Sequence, residues 1–309
     1  MSRTAGPGLA GAARAAAEAA GAAEVAARRA GLEVADLREM GELGEAADLF
    51  VEVWQTSTAE APCSPPLLRA LAYSGNYVAG ARRRGRMVGA SVGFLHPEGG
   101  TVALHSHITG VAARAQGRSV GFALKQHQRA WALARGFGLV TWTFDPLVRR
   151  NAFFNLVKLG AEIVEYLPGF YGRMEDAINA GDETDRCLVV WPLERERAVA
   201  ASHDDVVEPD LEGLRAAGAL ALLAEDADGR PAVAGRGDLG TSGTFAAGTL
   251  LVQVPRDIVA VRAADPALAV AWRRALRATL AEALAHGFAV TGITRSGWYV
   301  LERTREELR

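Results

Sequence analysis

Cysteine is nearly absent. Cys63 and Cys187 stand alone and far apart, which excludes a disulfide framework and a CxxC metal site and fits a reducing, cytoplasmic setting. Long apolar runs are missing too: none reaches the roughly 18 residues that cross a bilayer, so no membrane partner is expected. Charge of one sign is also lacking. The formal net charge is -2, without the electrostatic footprint of a general nucleic-acid binder. The local basic run, Arg82-Arg83-Arg84 with Arg86, lies between two strand-like segments and reads as a solvated hairpin turn. No HExxH pair and no Walker-type GK[ST] occurs, so zinc-protease and P-loop readings lack their signals and no metal is expected. Residues 1–30 are rich in Ala, Gly and Arg, but Glu18 and Glu24 interrupt the basic character and no apolar stretch precedes a cleavage site. They read as a flexible, poorly ordered or loosely helical extension.

What remains is ordinary globular material: 309 residues, 50% hydrophobic and 23% charged. That is enough for a sizeable core, and long enough for one large unit plus a smaller one. Alternation and spacing predict a strand at 32–37, a helix at 44–54, and a second helix from Pro65-Pro66 to Leu71. Strands at 77–82, 87–95 and 101–111 follow, with a turn at Pro97-Glu98-Gly99-Gly100. A helix over 119–135 carries Val120, Ala123, Leu124, His127, Ala130, Trp131 and Ala134 as a stripe, with Gly136 as its C-cap. His127 and Trp131 read as packing residues. A strand at 139–144, a helix at 151–159 closed by Gly160, and strands at 163–167 and 187–193 complete the first part. Residues 195–309 give strands at 220–224, 249–254, 289–293 and 299–301, a Gly-rich stretch at 235–248 and a helix at 267–286. The expected division is thus an extension at 1–30, a domain at 31–194 and an accessory α+β domain at 195–309.

In this mixed α/β order the long helix lies between the fourth and fifth strands, where an open sheet presents a helix N-terminus to a ligand. The segment Thr109-Gly110-Val111-Ala112-Ala113-Arg114-Ala115-Gln116-Gly117-Arg118-Ser119-Val120-Gly121 ends a strand, turns and opens that helix. Successive backbone N–H groups and the positive end of the helix dipole suit a pyrophosphate. Ser119, a good N-cap residue, has a hydroxyl within reach of such a phosphate.

The segment from Gln116 to Gly121 resembles the Gln/Arg-x-x-Gly-x-Gly/Ala motif of the GNAT superfamily of acyl-CoA-dependent N-acyltransferases, with Ser119 in place of the family's first glycine. Lys158-Leu159-Gly160 resembles the family's Lys-x-Gly ending of the following helix. More narrowly, Trp142-x-Phe144-Asp145-Pro146-Leu147, Asn151-Ala152-x-Phe154-Asn155 and Tyr171-Gly172-x-Met174 resemble a group of bacterial GNAT proteins without assigned substrates. The resemblance implies an α/β fold of GNAT type: a mixed, mostly antiparallel sheet flanked by helices. It implies acetyl-CoA or another acyl-CoA as co-substrate, held by Gln116, Gly117, Arg118, Ser119, Val120 and Gly121. Asn151 and Phe154 would meet the pantetheine arm, and a backbone N–H near Val111 the thioester oxygen.

Aminolysis of a thioester requires a neutral amine, and deprotonating an alkylammonium at pH 7 costs about 4.6 kcal/mol. His105 and His107, two residues apart on one strand, project from the same face and titrate near neutrality. His105 falls where several GNAT enzymes carry a catalytic glutamate, and the pair resembles the strand histidines of arylalkylamine N-acetyltransferases. The family's usual tyrosine acid is replaced by Leu156, which leaves Tyr171 as candidate donor to the departing thiolate and Tyr166 behind it. Asp145 reads as a turn residue or as an orienter of a histidine or an ammonium. Glu175, Asp176, Asp182, Glu183 and Asp185 form an acidic loop, either solvated or attracting a cationic amine. The expectation is direct transfer of an acetyl or other short acyl group to a small-molecule amine or amino acid in a ternary complex. The rival reading is a non-catalytic, GNAT-like acyl-CoA-binding or sensing protein. In a third, residues 195–309 serve as an interaction or homodimerisation module.

Overall fold

The structure, a computed structural model, describes residues 8–57, 60–172, 183–234 and 247–303. Two compact units divide the chain: Met1–Trp142 with Trp191–Asp204, and Thr143–Val190 with Asp205–Arg309. This division follows contacts, and it cuts across the sequence-order boundary expected at 194.

In the first unit, α1 (Leu9–Ala30) precedes β1 (Glu33–Asp36), α2 (Met40–Trp54) and α3 (Pro65–Tyr73). Strands β2 (Tyr77–Arg83), β3 (Arg86–Glu98) and β4 (Thr101–Val111) follow, then α4 (Val120–Leu133) and β5 (Leu139–Phe144), which enters the second unit after Trp142. β1 to β4 form an antiparallel meander and β5 joins β4 in parallel. The tight turns explain the meander. Arg84-Gly85 and Gly99-Gly100 all have positive φ, the twist that two-residue hairpins require. The second turn is therefore shorter than expected, and β3 runs on through Pro97 and Glu98.

Alternation along the strands, together with a β-bulge at Val88, where Ala81 and Arg82 pair with Gly89 and Met87, sends the sheet's apolar residues to both sides. Val78, Ala90 and Val92 pack with Leu43, Phe50 and Leu68 of α2 and α3. Ala81 and Val88 pack with Ala26 of α1 and Val120, Ala123 and Leu124 of α4. Gly89 makes the second contact possible, because a Cβ there would lie 2.7 Å from Val120 Cγ1. The stripe expected on α4 holds in part: Val120, Ala123, Leu124 and Trp131 are buried, but His127 and Ala130 are half-buried, Ala134 is exposed, and polar residues of other faces, Lys125, Gln126, Gln128 and Arg129, are buried too. Trp131 lies edge-on against Tyr77, whose hydroxyl is 3.1 Å from His127 Nδ1.

The helix over Leu9–Ala30 departs from the loose extension expected at 1–30. Helix α1 buries Ala19, Ala22, Ala23 and Ala26, the i, i+3, i+4, i+7 face of an amphipathic helix built from small residues. Arg129 of α4, wholly buried, donates to both carboxylate oxygens of Glu18 at 3.3 and 2.8 Å and to the Leu193 carbonyl at 3.0 Å.

The second unit begins with α5 (Arg149–Phe153), which widens into a π-helical turn over Phe154–Lys158, so the helix expected at 151–159 is two short pieces. β6 (Glu162–Leu167) pairs antiparallel with β7 (Arg186–Pro192). After α6 (Glu196–Ser202), which belongs to the first unit, come α7 (Leu211–Ala216), β8 (Leu220–Glu225), β9 (Pro231–Val233) and β10 (Thr249–Gln253). α8 (Ile258–Ala264), α9 (Pro266–Leu276), a π turn at Arg277–Ala281 and α10 (Glu282–Ala285) lead to β11 (Phe288–Ile293) and β12 (Trp298–Arg303). Five of these strands form a sheet in the order β11-β12-β10-β8-β9. Asp265 caps α9 ahead of Pro266, which starts the helix expected at 267–286 cleanly, but the π turn interrupts it. The Gly-rich stretch expected at 235–248 lies mostly outside the described residues.

Candidate functional site

Beyond Val111, which pairs with Gly89 as the last rung of β4, the Ala112 N–H donates to the Val88 carbonyl and a short 3-10 turn spans Ala113–Ala115. Gly117 (φ 72) and Ser119 (φ 58) are both left-handed and swing the chain into α4. Ser119 occupies the N-cap position in a left-handed backbone and its side chain makes no capping bond, which corrects the expected capping role. Its departure from glycine therefore carries backbone strain of about 1 kcal/mol. The N–H groups of Gly117, Arg118, Ser119, Val120 and Gly121 find no acceptor among the described residues, and Gln116 to Ser119 are exposed. Unpaired N–H groups at a helix N-terminus form an anion cradle.

Gly117-Arg118-Ser119-Val120-Gly121 also spells G-x-S-x-G, the pattern of a hydrolase nucleophile elbow. The geometry is different. Ser119 lies well past the end of β4, and its hydroxyl bonds no histidine among the described residues, so the base that would activate it is missing.

Arg114 and Arg118 of this loop border a cavity of about 800 Å³ with Arg29, Arg83, Arg84 and Arg86. The run read as a solvated hairpin turn is a hairpin, with Arg84 and Arg86 exposed, and it also forms one wall of this cavity.

On β4, Ser106 and Ile108 pair with consecutive residues of β3, Gly93 and Val92. His107 is thus the extra residue of a β-bulge, a feature that re-aims side chains. His105 and His107 remain neighbours, ring centroids 6.5 Å apart, and both lie against Phe94 at 5.1 and 5.7 Å. His105 Nδ1 is 3.1 Å from Thr141 Oγ1, its cross-strand partner on β5. Thr141 Oγ1 is also 3.3 Å from His96 Nε2, so one hydroxyl bridges two imidazoles. Burial, then the neighbouring His107, His96 and Lys125, lowers the His105 pKa to about 4. His107 is exposed, but packing against Phe94 and His105 strips part of its hydration and lowers its pKa as well. Both rings are therefore neutral at pH 7.

Lys125 of α4 is buried behind the same strand. Its Nζ donates to Ser106 Oγ at 2.8 Å and Gln128 Oε1 at 3.0 Å and sits 3.9 Å from the centre of the Trp142 ring. Burial lowers its pKa to about 7. Sequence periodicity marked His105 and His107 but not His96, Thr141 or Lys125. The only signal available for them was a polar residue within an apolar stripe or strand.

The remaining candidates belong to the second unit. Asn151 is exposed on α5, and Phe154, half-buried, opens the π turn. Leu156 is buried there. Tyr171 is exposed, with its hydroxyl 3.3 Å from Thr143 Oγ1. The Tyr166 hydroxyl donates to Asp185 Oδ2 at 2.6 Å, and burial with that carboxylate raises its pKa far above the ordinary value. It is thereby excluded as a proton donor. Asp145 orients no histidine: its Oδ1 accepts from the Leu147 N–H at 3.0 Å, and its carboxylate is clasped by Arg273 at 2.7 and 2.9 Å and Arg262 at 2.6 Å. In the acidic loop, Asp185 and Glu183 are bound to Arg277, so they are not open to a cationic amine. Glu175, Asp176 and Asp182 lie outside the described residues.

Solved structures similar to this chain include the acetyltransferase of GNAT family from Streptococcus pneumoniae, at 13% identity over 52% of this chain and 97% of that one, with a TM-score of 0.43. The ribosomal-protein-S18-alanine N-acetyltransferase from Escherichia coli is similar at 13% identity, over 53% and 95%, with a TM-score of 0.42. Arabidopsis thaliana Naa50 in complex with the bisubstrate analogue CoA-Ac-MVNAL is similar at 15%, over 52% and 97%, with a TM-score of 0.40. No protein-family model matches the chain, and no curated protein does. No helix among the described residues is long and apolar enough to cross a membrane.

Proposed function

We propose that this chain is an acyl-CoA-dependent N-acyltransferase that moves a short acyl group, acetyl first among them, to a primary amine of a small molecule. The observation that carries the reading is the loop from Gly117 to Gly121. Its free N–H groups at the mouth of α4 offer a cradle for a pyrophosphate, at the end of a strand that bears two neutral histidines.

The chemistry assigns different parts to the two imidazoles. A base of pKa about 4 facing an ammonium of about 10.4 makes direct transfer to His105 uphill by about 9 kcal/mol. His107, exposed and without a hydrogen-bond partner among the described residues, is the better acceptor, directly or through water. His105, held by Thr141, supports its neighbour. A backbone N–H near Val111 would stabilise the thioester oxygen, Asn151 and Phe154 would meet the pantetheine arm, and Tyr171 would return a proton to the thiolate. A protein that binds acyl-CoA without turnover is the second reading, favoured by the buried Leu156 in place of an acid.

Titration calorimetry with acetyl-CoA, succinyl-CoA and free coenzyme A tests the cofactor. Micromolar binding is expected, lost in Gly121→Glu, which sets a carboxylate against the cradle; no binding by the native chain overturns the proposal. In an amine screen, His107→Ala should lower kcat/KM about 100-fold or more, the usual scale for general base catalysis. The acid limb of the native pH profile should lie below 6.5, since the His107 pKa is lowered from there. An unchanged rate in His107→Ala, or an acid limb above 6.5, removes it as the base.

A further inference from the structure

Three neighbouring strands lay a line of polar contacts across one face of the sheet. On β3, Phe94 and His96 are two residues apart and share a face; Phe94 pairs with His105 of β4, and His105 pairs with Thr141 of β5. The buried Thr141 hydroxyl lies 3.3 Å from His96 Nε2 and 3.1 Å from His105 Nδ1, its two partners among the described residues. At the far end, His96 Nδ1 meets the Pro97 carbonyl at 3.2 Å and Glu98 Oε2 at 3.7 Å. At the near end, His105 Nε2 has no partner among the described residues.

These contacts fix where each proton sits. A carbonyl and a carboxylate only accept, so His96 Nδ1 carries a proton whether the ring is neutral or charged. In the neutral ring Nε2 therefore holds the lone pair. Thr141 has a single hydroxyl proton, and out of water that proton needs an acceptor. It goes to His96 Nε2, and the Thr141 oxygen accepts from His105 Nδ1–H. His105 is then the Nδ1–H tautomer, with its lone pair on Nε2.

A proton added to His96 reverses each step. Its Nε2–H donates to Thr141, Thr141 donates to His105 Nδ1, and the one proton of a neutral His105 must sit on Nε2. His105 releases a proton from Nδ1 and takes one from solvent on Nε2, so its charge does not change. The charged and titratable groups around His96 suit this arrangement. Glu98, on the same strand, stabilises its imidazolium form; β4 brings His105, with ring centroids 6.1 Å apart, and His107 beyond it; β5 brings the uncharged Thr141. Lys125 acts on His105 from behind β4. His105 itself resists a second proton, its pKa lowered to about 4 by burial and then by His107, His96 and Lys125.

We propose that His96, acting through Thr141, is a positioning residue that holds His105 as its Nδ1–H tautomer, so that the Nε2 lone pair accepts a hydrogen bond from the acceptor amine while His107 takes the proton. Protonation of His96 turns Nε2 into a donor, which opposes an ammonium. The place of the amine rests on the acyltransferase reading; the coupling of the two imidazoles does not.

Nitrogen NMR of the full chain, with its six histidines labelled with 15N and assigned by single variants, reads the tautomer directly. Spectra from about pH 8 to about 5 span ordinary imidazole titration and stay above the charging of His105. Native His105 should pass from the Nδ1–H to the Nε2–H tautomer with the same midpoint as the titration of His96. Thr141→Ser, which keeps a hydroxyl, should retain the crossover; Thr141→Val should abolish it. His96→Gln, whose amide oxygen accepts but does not titrate, should hold the Nδ1–H tautomer throughout. With an amine that the native protein acylates, Thr141→Val should lower kcat/KM about tenfold, mainly through KM, the scale of one hydrogen bond, and Thr141→Ser should restore it. A single His105 tautomer across the His96 titration, or a crossover that survives Thr141→Val, overturns the proposal and leaves the acyltransferase reading standing. A coupled tautomer in a protein that acylates no amine overturns that reading, and with it the hydrogen bond to the amine.

Discussion

At the residue scale, burial decides chemistry that residue type leaves open. Lys125 and Lys158 are the lysines of the chain, and Lys125 is sealed against Ser106, Gln128 and Trp142 with its pKa lowered to about 7. Its folded-state pKa lies below the unfolded value, so the unfolded chain binds more protons between pH 7 and 10.5, and stability rises with pH across that window. Lys125→Met should flatten this rise: melting temperatures of native and variant protein, compared from pH 7 to 9.5, should diverge in favour of the native chain as pH increases. Parallel curves would place the lysine in contact with water. His105 works in the same direction at lower pH. Its pKa of about 4 means that stability is present above 6.5 and is lost as pH falls towards 4. The alternation of β4 made His105 and His107 readable as a pair. Their partners were not, because His96 and Thr141 reach them through the pairing of β3, β4 and β5.

At the scale of elements, α1 illustrates how a composition can mislead. An Ala-rich segment with scattered Arg and Glu reads as loose, yet alanine has the highest helix propensity and small side chains let two helices approach closely. Glu18 is what anchors it. Although its own desolvation opposes this, the Arg129 guanidinium holds its carboxyl below the ordinary range, and His203 lies 3.0 Å away. Glu18→Ala leaves the buried Arg129 with the Leu193 carbonyl as its remaining partner among the hydrogen bonds described. The expected loss is about 2–3 kcal/mol in urea unfolding, the cost of stranding a buried charge on a partly exposed partner. Glu18→Gln, which keeps an acceptor, should lose less. A loss below about 0.5 kcal/mol would mean that α1 is held by its alanine face alone.

At the scale of the whole molecule, the second unit is discontinuous in sequence. Asp145, near its beginning, is buried and its carboxyl is held down at about 2: desolvation raises it, but Arg273 and Arg262 outweigh that. Asp185 is bound in the same way to Arg277. A chain ended after residue 204 keeps both carboxylates and loses all three arginines. Such a chain should lose the fold of residues 143–190, seen as loss of near-ultraviolet circular dichroism from the buried Tyr166 and its surroundings, since breaking a buried ion pair costs about 3–5 kcal/mol. A truncated chain that keeps the Tyr166 signal would restore residues 205–309 to the status of a detachable module. What the sequence alone determined was local: strand alternation, turn glycines, Pro-started helices, and a loop that opens a helix after a strand. Periodicity and backbone preference act over a few residues, so they are written in neighbouring letters. What only the tertiary structure decided was which distant charges meet: six arginines around one cavity, two around Asp145, one beneath Glu18. Those pairings depend on strand register and helix packing across more than a hundred residues, where the energy of a charge is set by its surroundings and not by its neighbours in the chain.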